Sequence, residues 1–377
     1  METNAGSVTG TLRHLAEGRR LTREETEVLF TQIMQGNVPA EQLAAILMAL
    51  RLRGETVDEL SGAVRAVRAC MTSLPFAPED AMDVCGTGGD GLGTLNVSTA
   101  VAFVLAGLGV PVAKHGNRAL SSRSGATDTL MALGIAPCDD LEEQARRLRD
   151  GHLAFLAAPL HHPAMRFAAP VRTTLGFRTI FNLIGPLCNP AQVRRQMIGI
   201  YDERWLRPVV ETMASLGAER VWAVHGETDL GGSDEITLAG VSHIRAWDEG
   251  RFLELVLTPD MAGLARRPIA DIAGGDPAHN AGKLLDMLSG QEGAYRDTVL
   301  LNAAVALHVS GRSTILENGT IVPTLLCRNI EIAANAIDSG LALSALVHAQ
   351  QGSPLQSTRL PAEPVRSSSL IHTSGLT

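Results

Sequence analysis

A run of closely spaced glycines, followed by a carboxylate and small hydroxyl side chains, suggests the chemistry of this chain. Residues 83–99 read DVCGTGGDGLGTLNVST. Glycine permits positive φ and lets peptide N–H groups approach a ligand without a Cβ in the way. An apolar strand-like stretch precedes the run, and a helix-like stretch, residues 97–108, follows it. We therefore expect the loop amides and the helix N-terminus to point at one ligand. This pattern predicts a site for phosphate or pyrophosphate.

The spacing of Gly86, Gly88 and Gly91 also satisfies the G-x-G-x-x-G fingerprint of dinucleotide-binding folds. That fingerprint expects an acidic residue about 20 residues further on, at the end of the next strand. Here the next apolar stretch, residues 110–113, leads into Lys-His-Gly-Asn-Arg at 114–118. A cationic cluster in this place favours a second phosphate contact over a ribose hydroxyl contact.

Composition narrows the classes of function. The chain has 377 residues, enough for two domains, and its net charge of -8 gives no general basic surface for nucleic acid. The five cysteines lack C-x-x-C spacing, and the polar N-terminus lacks the features of a signal peptide. We therefore expect a cytoplasmic protein that holds small anionic ligands through local donors and metal ions, without nucleic acid or membrane partners.

Helical patterns fill the first 75 residues, and short apolar strands alternate with helices from residue 81 onward. Strands are predicted at 81–85, 110–113, 153–156, 197–200, 221–224, 236–238, 243–247 and 252–257. Late helices are predicted near 294–309 and 332–347. This alternation predicts an α/β protein: a small all-helical domain plus a larger α/β domain with a mostly parallel sheet flanked by helices. Its ligands would lie at the carboxyl ends of the strands.

The strand pattern lapses between residues 160 and 191, where proline, turn and helix-like segments return. We therefore expect a discontinuous helical domain of residues 1–76 and 161–192. The α/β domain then comprises residues 77–160 and 193–350. The tail, 351–377, is rich in Ser and Pro and is expected to be disordered.

Several motifs, taken together and in this order, resemble those of the anthranilate phosphoribosyltransferases. They are CGTGGD at 85–90 with NVST at 96–99, KHGNR at 114–118, VRTTLG at 171–176, NLIGP at 182–186 with NP at 189–190, and SDE at 233–235. The resemblance implies transfer of the 5-phosphoribosyl group of phosphoribosyl pyrophosphate to the amine of anthranilate, in tryptophan biosynthesis. It also implies a homodimer and a site between a small helical domain and a larger α/β domain.

The resemblance assigns the phosphoribosyl pyrophosphate, position by position, to two loops. The first set is Gly86, Gly89, Asp90, Thr94, Asn96, Val97, Ser98 and Thr99. The second set is Lys114, His115, Gly116, Asn117, Arg118, Ala119, Leu120, Ser121, Ser122 and Ala126. Backbone N–H groups suit phosphate oxygens, and the lysine supplies a point charge.

The acceptor and the metal are assigned in the same way. Anthranilate is placed against Gly86, Asn117 and Arg172. A guanidinium such as that of Arg172 can bind a carboxylate through two parallel hydrogen bonds. Arg178 is a less favoured candidate for the same role. His115 and Pro186 are expected to shape the aromatic pocket. Two Mg²⁺ ions are implied, with Ser98, Asp234 and Glu235 as their protein ligands. No general base is assigned.

Three features depart from the family pattern. Ala126 stands where the family loop usually has a serine, which removes one donor to phosphate. The stretch 227–233 is longer than usual and leaves Asp229 as a competing metal ligand. Segment 313–330 has no clear counterpart.

Two alternative functions stay open at this point. A pyrimidine nucleoside phosphorylase would also cleave a bond at the ribose anomeric carbon, with free phosphate in place of a magnesium pyrophosphate leaving group, but the Asp234-Glu235 pair and Arg172 argue against it. A non-catalytic relative that binds nucleic acid is opposed by the acidic composition.

Overall fold

The computed structural model describes residues 7–117 and 124–352. Four helices form the N-terminal module: α1 (Val8–Ala16), α2 (Arg23–Met34), α3 (Ala40–Arg53) and α4 (Val57–Ala69). Capping boxes open α2 and α4, where Thr22 pairs with Glu25 and Thr56 with Glu59. Most of the tail predicted to be disordered, from residue 353 onward, lies outside the described residues.

A mixed sheet forms the centre of the larger part. Its strands are β1 (Met82–Gly86), β2 (Val112–Gly116), β3 (Leu153–Ala157), β4 (Arg195–Gly199), β5 (Arg220–Thr228), β6 (Gly231–Ser233), β7 (Ser242–Asp248) and β8 (Arg251–Leu257). The strand order is β3-β2-β1-β4-β5-β7-β8, and β6 pairs with β5. Strands β1 to β5 run parallel, whereas the pairs β5–β6, β5–β7 and β7–β8 are antiparallel. The parallel strands therefore end together at one edge of the sheet.

Helices cover both faces of this sheet. They are α5 (Val97–Gly107), α6 (Ala126–Ala132), α7 (Leu141–Asp150), α8 (Ala158–His161), α9 (Ala169–Leu175), α10 (Ile180–Ile184), α11 (Leu206–Ser215), α12 (Pro277–Leu288), α13 (Ala294–Val309), α14 (Pro323–Asp338) and α15 (Leu341–Gln351). One apolar core joins a face of the sheet to α5 and α12–α15, and a second joins the other face to α11 and the N-terminal module. This arrangement confirms the predicted fold class.

Helices α9 and α10 belong to the second core, with the N-terminal module. Val171 of α9 and Ile180 of α10 are buried in the same apolar cluster as Leu47 of α3. The rings of Phe30 and Phe181 lie 5.5 Å apart, centre to centre. The segment between β3 and β4 therefore packs against the N-terminal helices.

Two sequence predictions about late elements are wrong. Residues 236–238 form no strand, because the Asn302 side chain supplies the pairing instead: its Oδ1 accepts from the Ile236 N–H (3.1 Å) and its Nδ2 donates to the Ile236 carbonyl (2.8 Å). The single helix predicted at 332–347 is two helices, α14 and α15, which meet at Gly340 with a φ of +78°.

The segment without a family counterpart, 313–330, has a definite structure. It contains a small antiparallel hairpin of β9 (Leu316–Glu317) and β10 (Thr320–Ile321), after which α14 begins. No single helix within 7–117 and 124–352 is long and apolar enough to cross a membrane. Helices α14 and α15 pass such a test only as a pair, bent by 56°.

Candidate functional site

The glycine run forms a loop at the carboxyl end of β1, and a neighbouring 3₁₀ helix supports this loop. Gly88, Gly89 and Gly91 have φ values of +67°, +75° and +82°, a region that side chains with a Cβ rarely adopt. The Leu95 N–H donates to the Ile272 carbonyl (2.9 Å), so a 3₁₀ helix, Ile269–Ile272, supports the end of the loop. The loop therefore presents backbone amides at the sheet edge where ligands of parallel sheets bind.

The acidic pair after β6 lies against this loop. The Asp234 carboxylate accepts from the Gly88 N–H (2.7 Å), and the Glu235 carboxylate accepts from the Ser98 N–H (3.1 Å) in the first turn of α5. The structure thus brings together two predicted metal ligands and the predicted donor loop, although more than a hundred residues separate them in the chain.

Glycines on two strands make room for this contact. A Cβ at Gly86 would overlap the Asp234 carboxylate, and a Cβ at Gly199, at the end of β4, would overlap the Asp234 backbone carbonyl. A Cβ at Gly226 of β5 would lie 2.6 Å from the Glu235 carbonyl. Strands β1 and β4 therefore end in glycine, and β5 has a glycine two residues before its end, where the acidic pair packs over them.

The electrostatics of the pair favour a cation. Removal from water raises the pKa of Asp234, and the neighbouring Asp90 carboxylate raises it further. Removal from water also raises the pKa of Glu235, with Asp234 as the second cause. Neither carboxylate has an ion-pair partner among the described residues. Two crowded carboxylates of this kind lose their repulsion when a divalent ion binds between them and a ligand.

The metal donors are incomplete without a ligand. Within residues 7–117 and 124–352, no group of three or more His, Cys, Asp or Glu side chains converges as a metal site. Mg²⁺ binds in proteins through one or two carboxylates, waters and substrate phosphates. Asp234, Glu235 and the Ser98 hydroxyl, all hard oxygen donors, fit that requirement.

Lys114 lies beneath the start of α5. Its buried ammonium donates to the Val84 carbonyl (2.7 Å) and to the Ser98 hydroxyl (3.2 Å). The positive charge is thereby held close to Glu235, whose pKa it lowers against the effect of burial. The structure therefore joins the predicted lysine, serine and glutamate at one point.

Asn96 organises the protein side of the loop. Its side-chain oxygen accepts from Thr129 (2.7 Å) and from Asn280 (3.0 Å), and its carbonyl accepts from the Tyr295 hydroxyl (3.1 Å). The side chains of Val97 and Thr99 are buried, so ligand contacts at these two positions would come from the backbone. Sequence reasoning missed the three partners of Asn96, since no local motif marks them.

A buried polar network links β1, β2 and the residues just before β4. The Asp83 carboxylate accepts from the His115 N–H (3.2 Å) and from the Asn189 side chain (2.8 Å), and burial raises its pKa to about 6. The His115 ring meets His162, with 3.2 Å between their Nε2 atoms. Burial, and next the neighbouring His162, lower the pKa of His115 well below its usual range. Asp83 and His162 carried no signal in the sequence.

The second loop is described only in part. Five of its predicted donor residues lie outside the described residues: Arg118, Ala119, Leu120, Ser121 and Ser122. On its near side, Gly116 approaches Ala126 closely enough that a Cβ at Gly116 would lie 3.5 Å from the Ala126 Cβ. The Thr127 N–H donates to the Asn117 carbonyl (3.4 Å), which links the two ends of the loop.

The two candidate arginines differ in position. Arg172 lies on α9 with its guanidinium 5.3 Å from the centre of the Phe181 ring, and partial burial lowers its pKa. Arg178 lies 3.9 Å from the centre of the Tyr201 ring and next to Gly89. Neither has an ion-pair partner in the part of the chain that the structure describes.

The exposed Asp229 occupies the tip of the β5–β6 hairpin rather than its base. Its carboxylate accepts from the Ile269 N–H (3.4 Å), while the pairing of Gly226 with Ser233 closes the base beside the acidic pair. The close approaches of Gly86, Gly199 and Gly226 all involve Asp234 or Glu235. The two hydrogen bonds from backbone amides also end on these two residues, and not on Asp229.

Comparison with known proteins identifies the family. The model described as "Glycosyl transferase family, helical bundle domain" matches residues 10–71, and "Glycosyl transferase family, a/b domain" matches residues 78–343. The chain is 62% identical over 344 residues to the anthranilate phosphoribosyltransferase of Gluconobacter oxydans, covering 91% of this chain and 95% of the relative. The chain belongs to the anthranilate phosphoribosyltransferases.

Other relatives and solved structures agree. The anthranilate phosphoribosyltransferase of Beijerinckia indica is 48% identical over 332 residues, which cover 88% of this chain and 93% of the relative. The crystal structure of the Thermus thermophilus anthranilate phosphoribosyltransferase matches with a TM-score of 0.82 and 36% identity, over 90% of this chain and 98% of that one. The Saccharomyces cerevisiae enzyme, solved in complex with PRPP and Mg, matches with a TM-score of 0.81 and 25% identity, over 93% and 99%.

As a member of this family, the chain is a glycosyltransferase of tryptophan biosynthesis. It transfers a phosphoribosyl group to the amine of anthranilate. The reaction predicted from the motifs is therefore confirmed. The nucleoside phosphorylase and nucleic-acid-binding alternatives have no support from these relatives.

Proposed function

We propose that the diphosphate of phosphoribosyl pyrophosphate binds over the loop after β1, with Mg²⁺ ions on Asp234, Glu235 and Ser98. The observation that carries this proposal is the placement of two crowded carboxylates on the amides of Gly88 and Ser98. Neither carboxylate forms an ion pair with another described residue. The complex of the yeast relative with PRPP and Mg supports it.

We further propose two Mg²⁺ ions per chain. The two carboxylates are held by different amides, one in the glycine loop and one at the start of α5, so they offer two separate positions for metal. The donor residues are proposed to be those of the two loops assigned above.

The chemistry proposed for this site is displacement of pyrophosphate at the anomeric carbon of the ribose, through a transition state with oxocarbenium character. Bound Mg²⁺ would supply charge neutralisation on the departing diphosphate. The loop amides would donate to the diphosphate, and a preorganised donor of this kind is worth about 3 kcal/mol. Lys114, buried beside Ser98, would add positive charge close to the metal site. Because an aromatic amine is weakly basic, its lone pair needs no general base, and orientation of the acceptor is the remaining task.

Arg172 is proposed to bind the anthranilate carboxylate, and Arg172→Ala tests that role. Losing a charged hydrogen-bonding pair costs about 2 kcal/mol, which predicts an increase in the KM for anthranilate of about thirtyfold. The KM for phosphoribosyl pyrophosphate should stay within about twofold of the wild-type value. Steady-state rates, followed by the loss of anthranilate fluorescence, give both constants.

Arg166→Ala is the matched control for this test. Arg166 also stacks on a phenylalanine, Phe167, with 4.5 Å between the guanidinium and the ring centre, but it is exposed and outside the proposed site. It should leave both KM values unchanged. Equal loss of affinity for donor and acceptor in Arg172→Ala would reject the assignment.

We also propose that residues 161–192 complete the helical domain begun by residues 1–76, and that two chains associate through that domain in the cytoplasm. Support for the domain division comes from the core shared by α9, α10 and the N-terminal helices. Support for a homodimer comes from Val28, Met48 and Leu52, apolar side chains that are exposed on α2 and α3. Light scattering with Leu52→Glu, which should yield monomers, tests the dimer.

A further inference from the structure

Arg178 lies between α9 and α10, the two helices that pack against the N-terminal module, and next to the glycine loop. It stands one residue before Thr179, whose N–H donates to the Asn182 side chain (3.0 Å) at the start of α10. Its guanidinium nevertheless reaches the α/β part: a Cβ at Gly89 would lie 3.0 Å from its Nη2 atom and 3.1 Å from its Nε atom. The side chain therefore crosses from one structural unit to the proposed phosphate loop.

An aromatic platform fixes the guanidinium in this position. Its central carbon lies 3.9 Å from the centre of the Tyr201 ring, a close cation–π contact. The platform is tied to the loop, since the Tyr201 N–H donates to the Thr87 hydroxyl (3.1 Å) and the Thr87 N–H donates to the Gly199 carbonyl (2.8 Å). Stacking occupies the face of a guanidinium and leaves its in-plane N–H donors for another partner.

The charge of Arg178 is not balanced by an acid. Throughout residues 7–117 and 124–352, no carboxylate lies within ion-pair distance of it, whereas Arg53 is paired with Glu59 and Arg195 with Glu219. An arginine that is held rigidly beside an amide-lined loop, but lacks an acidic partner, is suited to bind an anion that arrives from solution.

We infer that Arg178 binds the diphosphate of the sugar donor, and so couples the helical module to the donor site. This inference rests on the proposed donor site. The ligand class follows from position: Arg178 lies over Gly89 of the phosphate loop, while Arg172 stacks on Phe181. Arg178 thus acts on the leaving group and Arg172 on the acceptor.

Binding of inorganic pyrophosphate with Mg²⁺, measured by calorimetry, tests this role directly. Arg178→Gln keeps a polar side chain but removes the positive charge and the paired N–H donors that can bind two phosphate oxygens at once. The Kd for pyrophosphate should therefore rise about tenfold or more. The KM for phosphoribosyl pyrophosphate should rise in parallel, and the KM for anthranilate should stay within about twofold. Arg178→Lys, which keeps the positive charge without the paired N–H donors, should retain part of the affinity that Arg178→Gln loses.

A second variant acts through the platform. Tyr201→Leu removes the aromatic ring, and it should weaken pyrophosphate binding in the same direction by a smaller factor. Thermal unfolding of each variant identifies any loss of affinity that arises from misfolding. A merely structural Arg178 would lower the unfolding temperature and change both KM values together, which would overturn the inference.

Two further outcomes separate this inference from the proposed donor site. An unchanged pyrophosphate Kd in Arg178→Gln, combined with a raised KM for anthranilate, would assign the residue to the acceptor and overturn the inference alone. If pyrophosphate affinity is also unchanged when Asp234 and Glu235 are both replaced by amides, the donor site itself is misplaced, and the inference falls with it.

Discussion

Turnover by the double variant Asp234→Asn, Glu235→Gln is expected to fall about a thousandfold. The amides keep the size of the two side chains and can still accept hydrogen bonds from Gly88 and Ser98, but they cannot hold Mg²⁺ as carboxylates do. Initial rates measured over a range of Mg²⁺ concentrations give the loss and show whether excess metal restores activity.

The matched control is Asp229→Asn. Asp229 is an exposed carboxylate on the adjacent hairpin, bonded to the Ile269 N–H, and its replacement should leave the rate and the Mg²⁺ requirement unchanged. If the double variant retained full activity while Asp229→Asn lost it, the metal site would belong to the hairpin tip.

The double variant should also change how stability depends on pH in the absence of metal. The pKa values of Asp234 and Glu235 are raised in the folded state, so the folded protein holds protons that the unfolded chain has released. Their contribution to the free energy of unfolding is therefore lost as pH rises from about 4, the unfolded value, through the raised folded values. Above that window the double variant should unfold at the same or a higher temperature than the wild type.

Gly199→Ala is expected to have the second largest effect, on folding as well as on activity. The added Cβ would overlap the carbonyl of Asp234, so either β4 or the acidic pair must move. Overpacking of this kind costs about 1 to 3 kcal/mol of unfolding free energy. Because the displaced residue is a proposed metal ligand, Mg²⁺-dependent turnover should fall more steeply than stability does. Urea unfolding and initial rates measure the two losses.

Gly282→Ala provides the comparison for this glycine effect. Gly282 lies in α12, and a methyl group at this position would have no neighbouring atom within 4 Å. Alanine should therefore be tolerated and should stabilise the helix by up to about 1 kcal/mol. Wild-type stability and activity in Gly199→Ala would mean that the acidic pair does not pack on the end of β4.

Local patterns in the sequence predicted most of the fold. Strands β1 to β5 are short apolar runs between helical segments, and α5 and α13 are long apolar helices, so each element carries its own signal. The failures arose where a single residue determines the backbone. Asn302 replaces a strand partner for Ile236 from 66 positions away, and a single glycine, Gly340, divides one helical pattern into two helices.

The candidate site was predictable to a similar degree. The residue types of the glycine run indicated a phosphate loop after β1, whereas the metal role of the Asp234-Glu235 pair followed from the resemblance to the family. The supporting residues could not be, because Asn280 and Tyr295 contact Asn96 from 184 and 199 positions away. Asp83 resembles an ordinary strand residue until Asn189 is brought beside it.

A crystal of this enzyme soaked with phosphoribosyl pyrophosphate and Mn²⁺, a substitute for Mg²⁺ with a strong anomalous signal, tests the central claim most directly. Anomalous peaks should lie beside the carboxylates of Asp234 and Glu235, with the diphosphate over the loop after β1 at Gly89. The claim would be contradicted by a donor bound elsewhere, such as the groove lined by Ile135, Cys138 and His348, with no metal at the acidic pair.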